Sequence, residues 1–231
     1  ARDEAVSRRV NVEAMIRLID DLRGLGAKPV YLSSSFVFDG ASGGYPEQAS
    51  HAPLSAYGRH KAAVERYLVD QVPEGLVLRL DKVIGDDPAE RHLFSEWWAW
   101  LLQGRPLRCI DGQVFSPTLV DDVARAVTLS AERGLTGLYN VANPEHASRA
   151  ELARQFLRAV GRKASILCES QDELGFVDRR PLKSWLDPAK FITETGMRFT
   201  SAREALQRFI GRLGASGAVG EPQMHNARSE G

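Results

Sequence analysis

At 231 residues, with 43% hydrophobic and 26% charged side chains, the chain can bury a sizeable core in one large domain or in one domain with a small lobe. Thirty basic residues balance thirty acidic ones, so no net field draws the surface to nucleic acid or anionic lipid, and small molecules or other proteins are the expected partners. No apolar run approaches the roughly 18 residues of a membrane helix and no signal peptide opens the chain, which predicts a soluble, cytoplasmic protein without a membrane span.

Over residues 4–24 the apolar positions Val6, Val10, Ala14, Ile16, Leu18, Ile19 and Leu22 recur at mostly three- and four-residue spacing. They predict an amphipathic helix ending at Gly24 or Gly26. Within Lys28 to Val37 the run Pro29-Val30-Tyr31-Leu32 predicts a buried strand that ends on three serines. Helix, glycine and buried strand in succession give an α/β class. Residues 39–55, rich in Gly, Ser and Pro, form a long loop, 56–69 return to helix, and Gly75 to Leu80 is a second buried strand. A helix from His92 to Gln103, a strand from Pro106 to Ile110 and a turn at Asp111-Gly112 come next.

The segment Ser116 to Val120 leads into a helix from about Asp121, whose carboxylate suits a cap or first turn. Gly137 to Ala142 reads as another strand, and Ser148 with Glu151 is a capping-box signature for a helix to about Gly161. A strand near Ala164 to Cys168, the Arg179-Arg180-Pro181 turn and helices near Pro188 to Thr195 and Ser201 to Leu213 complete the pattern. Residues 215–231, polar and rich in Gly and Ser, are expected to be disordered. Phe94, Trp97, Trp98, Trp100 and Leu101 read as core or as a subunit interface, which leaves a homodimer open; the other reading is an aromatic lid. Cys109 and Cys168 form no C-x-x-C pair and read as free thiols of a reducing compartment. His51, His60, His92 and His146 show no ligand spacing and read as surface residues, so no metal site is expected.

Tyr57 and Lys61, four residues apart at a helix start, lie on one face about a turn apart. A phenol of ordinary pKa about 10 is a poor proton donor or acceptor at neutral pH, and a nearby ammonium lowers that value. The pair then suits general acid/base work. By itself the spacing also describes an unremarkable surface helix start. Its context is the serine triplet Ser33-Ser34-Ser35 at the carboxyl end of a predicted strand, where open α/β sheets bind ligands, although serines also end strands as plain turn formers.

The run Val30-Tyr31-Leu32-Ser33-Ser34-Ser35-Phe36-Val37-Phe38-Asp39-Gly40, with Tyr45-Pro46-Glu47, Pro53-Leu54, Tyr57-Gly58-Arg59-His60-Lys61 and Glu65, resembles extended short-chain dehydrogenase/reductases. The nearest subgroup is that of the dTDP-4-dehydrorhamnose reductases. The likeness continues in Asp111-Gly112-Gln113, in Ser116-Pro117-Thr118 with Asp122, in Gly137-Leu138-Tyr139-Asn140, and in Arg180-Pro181 with Leu186-Asp187.

The resemblance implies a Rossmann-type doubly wound parallel sheet, lacking its first strands in this chain, with a smaller C-terminal substrate lobe. Residues 1–85 would be the C-terminal part of a dinucleotide-binding domain, and 86–214 a mixed substrate lobe with segments returning to the sheet. It makes Tyr57 the acid/base, Lys61 the residue that holds the nicotinamide ribose and lowers the tyrosine pKa, and Ser34 the hydroxyl partner. NADP or NAD would be flanked by Ser33, Asp81 and Lys82 as well as Tyr57 and Lys61. Asn11, Ser35, Phe36, Gln113, Ser116 and Arg180 are substrate-side candidates for a nucleotide-diphosphate sugar, the arginine suiting a pyrophosphate through its planar fork. For Asn11 and Arg180 the plain alternative is a solvent-facing side chain.

The chain departs from the pattern in four places. Ser35 and Phe36 replace an acidic and an aromatic residue, Lys82 replaces a tryptophan, and Phe115 replaces a glycine and is expected to push bulk toward the substrate. The glycine-rich turn that receives a dinucleotide pyrophosphate does not occur in these residues. The expectation is either that roughly 60 to 80 residues precede Ala1 in the native protein or that the cofactor site has been lost. The leading function is NAD(P)-dependent reduction of a keto group on a nucleotide-linked sugar. Epimerisation or dehydration would reuse the same parts, and a non-catalytic nucleotide-binding regulatory subunit is the alternative of another class.

Overall fold

The computed structural model describes residues 3–215. The first helix is capped by Asp3, whose carboxylate accepts from the Val6 amide at 3.0 Å, and runs as α1 (Glu4–Arg8), a π-helical turn (Arg9–Glu13) and α2 (Ala14–Gly24). The periodicity predicts an uninterrupted helix. The wide turn alters which side chains face inward: Val12 and Ile19 are buried and Met15 and Ile16 half-buried, while Val6, Val10 and Leu18 stay exposed.

The chain continues through β1 (Val30–Ser34), a 3₁₀ turn (Ser35–Val37) and α3 (Ala56–Gln71) to β2 (Leu76–Leu80). Then come β3 (Lys82–Ile84), α4 (Leu93–Leu102), β4 (Leu107–Ile110), β5 (Val114–Phe115), β6 (Pro117–Leu119), α5 (Val120–Glu132) and β7 (Gly137–Val141). The last elements are β8 (Ala147–Ser148), α6 (Arg149–Ala159), β9 (Ile166–Glu169), α7 (Ala189–Thr195) and α8 (Ala202–Ala215). The expectation of a disordered tail falls, beyond Ala215, outside the described residues.

A parallel sheet of order β1-β2-β7 is the centre of the first half, with Ser33 opposite Arg79 and Arg79 opposite Asn140. Parallel strands buried on both faces need apolar side chains in both phases, and β2 supplies them as Leu76, Val77 and Leu78. Tyr31 and Val77 pack under α3 with Val64 and Leu68, and Leu76 and Leu78 pack on the other face with Ala126 and Phe191. β1 is an edge strand in this chain, and Val30 and Leu32 are each 40% exposed. Three two-stranded ladders, β3-β6 and β4-β9 in parallel and β5-β8 antiparallel, carry the chain into a second core.

That second core holds Phe94, Trp97, Phe115, Phe156 and Phe209, all fully buried, with Phe94 stacked on Phe156 at 6.0 Å. The tryptophans of α4 are thus mainly core, and Phe115 points into the lobe rather than toward a ligand, contrary to its expected effect. His92 and Ser95 form a capping box at the start of α4, and the Ser148 hydroxyl accepts from the Glu151 amide at 3.1 Å to cap α6. His60 is buried and His51 bonds Glu65, so the reading of the histidines as plain surface residues fails for both.

Candidate active site

The start of α3 sits against the 3₁₀ turn that follows β1. Ser55 caps the helix by accepting from the Gly58 amide at 3.1 Å. Gly58 is required by closeness: a Cβ there would lie 2.1 Å from the Phe36 carbonyl oxygen. The close approach brings the Tyr57 phenol to the Ser34 hydroxyl, which also accepts from the Phe36 amide at 3.2 Å. The Phe36 ring meets Tyr57 edge-on at 5.7 Å. One turn along, Lys61 donates from Nζ to the Leu32 carbonyl at 2.7 Å and lies 4.5 Å from the Tyr31 ring centre. The structure therefore gathers Ser34, Tyr57 and Lys61 at the carboxyl end of β1.

The electrostatics differ from the expectation. Burial raises the Tyr57 phenol above its ordinary value, and the bond with Ser34 opposes this without reversing it. Lys61 lies 5.8 Å from the Tyr57 ring centre with its ammonium donating to the Leu32 carbonyl, and the two causes that set the Tyr57 shift are burial and Ser34. Burial also lowers the Lys61 ammonium, against the pull of Glu65.

A loop from the second half closes over this centre. Asp178 accepts from the Ala56 amide at 2.9 Å, which fastens the loop to the N-terminus of α3. Beside it the Arg180 guanidinium lies 4.0 Å over the Phe176 ring. Phe36, Tyr57, Phe176 and Arg180 line a cleft of about 450 Å³. Phe176 and Arg180 also form one wall of a second cavity, about 270 Å³, that contains Lys82, Trp100 and Arg149.

The other candidates are placed as follows. Ser35 is buried and donates to Asp81 at 2.8 Å, and Asp81 also accepts from the Ser184 hydroxyl at 2.8 Å and the Ser116 amide at 2.6 Å. Asp81 is a junction between strand ends, with burial raising its carboxyl. Neither Ser35 nor Asp81 directs its side chain to the Tyr57 cleft. Ser33 is buried next to Glu65 and Arg79, beneath α3. Asn11 is exposed and its amide turns back to the Ser7 carbonyl at 2.9 Å, so it does not join the cleft. Gln113 and Ser116 are buried, each with a side-chain oxygen that has no hydrogen-bond partner among the described residues.

Beneath the site, Glu65 on α3 and Arg79 on β2 form a fully enclosed ion pair with contacts of 2.8 to 3.1 Å. His51 bonds Glu65 at 2.8 Å and the Glu47 carbonyl accepts from Arg79 at 3.0 Å, which ties the long loop to the sheet. Sequence reasoning missed Arg149, Phe176 and Asp178. Arg149 sits inside a segment read only as a helix cap, and the loop at 170–181 carries no periodic signal.

The chain matches the family described as RmlD substrate binding domain over residues 2–215. It is 27% identical over 172 residues to a probable low-salt glycan biosynthesis reductase of Haloferax volcanii, covering 72% of this chain and 57% of that protein. It is 29% identical over 191 residues to methionine adenosyltransferase 2 subunit beta of Xenopus tropicalis, covering 78% of this chain and 56% of that one. A dTDP-4-dehydrorhamnose reductase of Bacillus anthracis, solved in complex with NADP, superposes with a TM-score of 0.72 at 26% identity, over 80% of this chain and 66% of its own. A dTDP-4-dehydrorhamnose reductase ortholog of Clostridium acetobutylicum gives a TM-score of 0.82 at 23% identity, over 91% of this chain and 75% of its own. The parallel sheets match the Rossmann-type fold of these neighbours. The chain spans 57% and 56% of the length of the two curated relatives described.

Proposed function

The chain belongs to the RmlD substrate binding domain family, and from that premise we propose that it serves NAD(P)-dependent reduction of a keto group on a nucleotide-diphosphate sugar, with Tyr57 as the acid/base. The observation that carries the reading is the Tyr57 phenol beside the Ser34 hydroxyl, with Lys61 one turn along α3 and Tyr57 lining a cleft. Lys61 and Tyr57 are the residues that would hold a nicotinamide cofactor here, and when bound it would supply the hydride. Tyr57 gives its phenolic proton to the oxygen that becomes the new hydroxyl, and Ser34 donates a hydrogen bond to that oxygen. The phenol is protonated at neutral pH, as it would be at its ordinary pKa, and its raised value makes it a weaker proton donor until a bound ligand changes its surroundings.

Lys61 fits the nicotinamide end. Its ammonium donates to one carbonyl, leaving two N–H groups for ribose hydroxyls. No glycine-rich strand-to-helix turn for the pyrophosphate occurs among these residues. In the full-length protein, Tyr57→Phe should lower turnover of a 4-keto nucleotide sugar, read as loss of dihydronicotinamide absorbance, by about 10²- to 10⁴-fold while leaving thermal unfolding unchanged. Undiminished turnover in that variant refutes the assignment. A second reading, a non-catalytic regulatory subunit, is favoured by the relative named as a subunit beta. It predicts ligand binding without turnover in the wild-type protein.

A further inference from the structure

Cys109 on β4 and Cys168 on β9 are free thiols that the parallel β4-β9 ladder sets opposite each other as register partners. Side chains alternate faces along a strand, and partners in a parallel register point to the same face. The preceding partners in that phase, Leu107 and Ile166, both pack on the aromatic core of the lobe, and Cys109 belongs to that core, so the two thiols share its face. Neighbouring strands lie about 4.8 Å apart, within the roughly 4.4 to 6.8 Å of Cα separations that a disulfide spans. Among the described residues no third histidine, cysteine or carboxylate joins them in a group that could hold a metal ion.

The two thiols differ in reach. Cys168 is exposed, whereas Cys109 is only 1% exposed. Burial pushes the Cys109 thiol up to about 11, and the Arg149 guanidinium beside its sulfur opposes this. A dissolved oxidant therefore meets Cys168 first, and Cys109 acts afterwards from within the fold. β9 ends at Glu169, and the loop that follows it carries Phe176 and Arg180 over the Tyr57 cleft and is fastened to α3 by Asp178.

We infer that Cys109 and Cys168 are a reversible disulfide site that fixes β9, and with it the root of the 170–181 loop, to β4. The oxidant is a small disulfide of the glutathione class. Cys168, as its thiolate, attacks one sulfur of glutathione disulfide, forming a mixed disulfide and releasing one glutathione. Cys109 then attacks the Cys168 sulfur, the second glutathione leaves, and the Cys109–Cys168 bond closes. Two protein thiols are oxidised, one glutathione disulfide is reduced to two glutathiones, and these carry off the two thiol protons. Excess reduced glutathione reverses both steps. Formation of the bond is independent of what the Tyr57 cleft catalyses.

The test is peptide mapping by mass spectrometry of the full-length folded protein after incubation with oxidised glutathione. The expected product is one linked pair of peptides containing Cys109 and Cys168, lost on adding dithiothreitol. In Cys109→Ala, Cys168 should retain glutathione, and in Cys168→Ser, Cys109 should stay unmodified. Cys168→Ser changes an exposed position, which keeps the comparison valid where Cys109→Ala weakens the core. Trypsin should cut the oxidised wild-type protein after the exposed Arg179 at least about threefold more slowly than the reduced protein, with no such difference in Cys168→Ser. A stable glutathione adduct on Cys168 without the link overturns the inference, as does a link between two chains or a pair of thiols that stay free. A linked protein with unchanged cleavage after Arg179 overturns the coupling to the loop.

Discussion

Replacing Gly58 with alanine tests whether the start of α3 must touch the turn after β1. The added Cβ would lie 2.1 Å from the Phe36 oxygen and 3.0 Å from Pro53 Cβ, so reaching the 3.4 Å of ordinary contact requires a displacement of about 1.3 Å. The opposing effect is helix propensity, which favours alanine over glycine by up to about 1 kcal/mol. Overpacking against main chain costs roughly 1–3 kcal/mol, and a carbonyl oxygen cannot rotate aside as a side chain does. The clash should win, with a net loss of about 1–2 kcal/mol and a fall in Tm of several degrees. The larger effect should be on chemistry. A shift of this size carries Tyr57 away from Ser34, and misplacement by about 1 Å can cost on the order of 10²-fold in rate. Urea denaturation and turnover on the same preparation decide the matter. A Gly58→Ala protein with wild-type stability and wild-type kcat refutes the close-approach argument.

Glu65→Gln leaves the Arg79 guanidinium buried without its counter-charge and should cost about 3–5 kcal/mol by denaturant titration; a loss under about 1 kcal/mol would mean the pair contributes little. Burial pushes the Glu65 carboxyl up, and its bonds from His51 and Arg79 more than reverse this, leaving it below the ordinary carboxylate value. A folded pKa below the unfolded one gives stability that is present above the unfolded pKa of about 4.3 and is lost as pH falls through the folded value. Wild-type stability should therefore decline below about pH 4.3 more steeply than that of Glu65→Gln, and parallel pH profiles would contradict this. Asp178→Ala removes the bond to the Ala56 amide and should cost about 1 kcal/mol in stability, with a rise in KM larger than the fall in kcat because the loop carrying Phe176 and Arg180 is released. Unchanged KM would show that this loop does not close the cleft.

Much of the first half was legible because its determinants are local. The apolar run before the serines marks β1, the Gly75 to Leu80 run marks β2, and the Tyr57/Lys61 spacing places both residues on one helix face. The π turn around Asn11 was not legible, because a single extra residue in a helical pattern alters no composition and only shifts which side chains face inward. Cys109 and Cys168, distant in sequence, are register partners in the β4-β9 ladder, a relation that only strand pairing creates. His60 shows the same limit: its burial depends on the first helix packing over α3, and its Nδ1 lies 3.4 Å from the Ser7 hydroxyl.

The sequence by itself determined the α/β class and the order of most elements, since period, capping and turn chemistry act over a few residues, and the family resemblance pointed to Ser34, Tyr57 and Lys61 as the candidate trio. Only the tertiary structure decided that Ser35 and Asp81 form a junction instead of facing a ligand and that Phe115 belongs to the lobe core. It also decided which distant cations share the cavity beyond Phe176 and Arg180. These outcomes depend on desolvation and on contacts such as Ser35 to Asp81 and Asp178 to Ala56, between residues far apart along the chain, for which sequence spacing carries no signal.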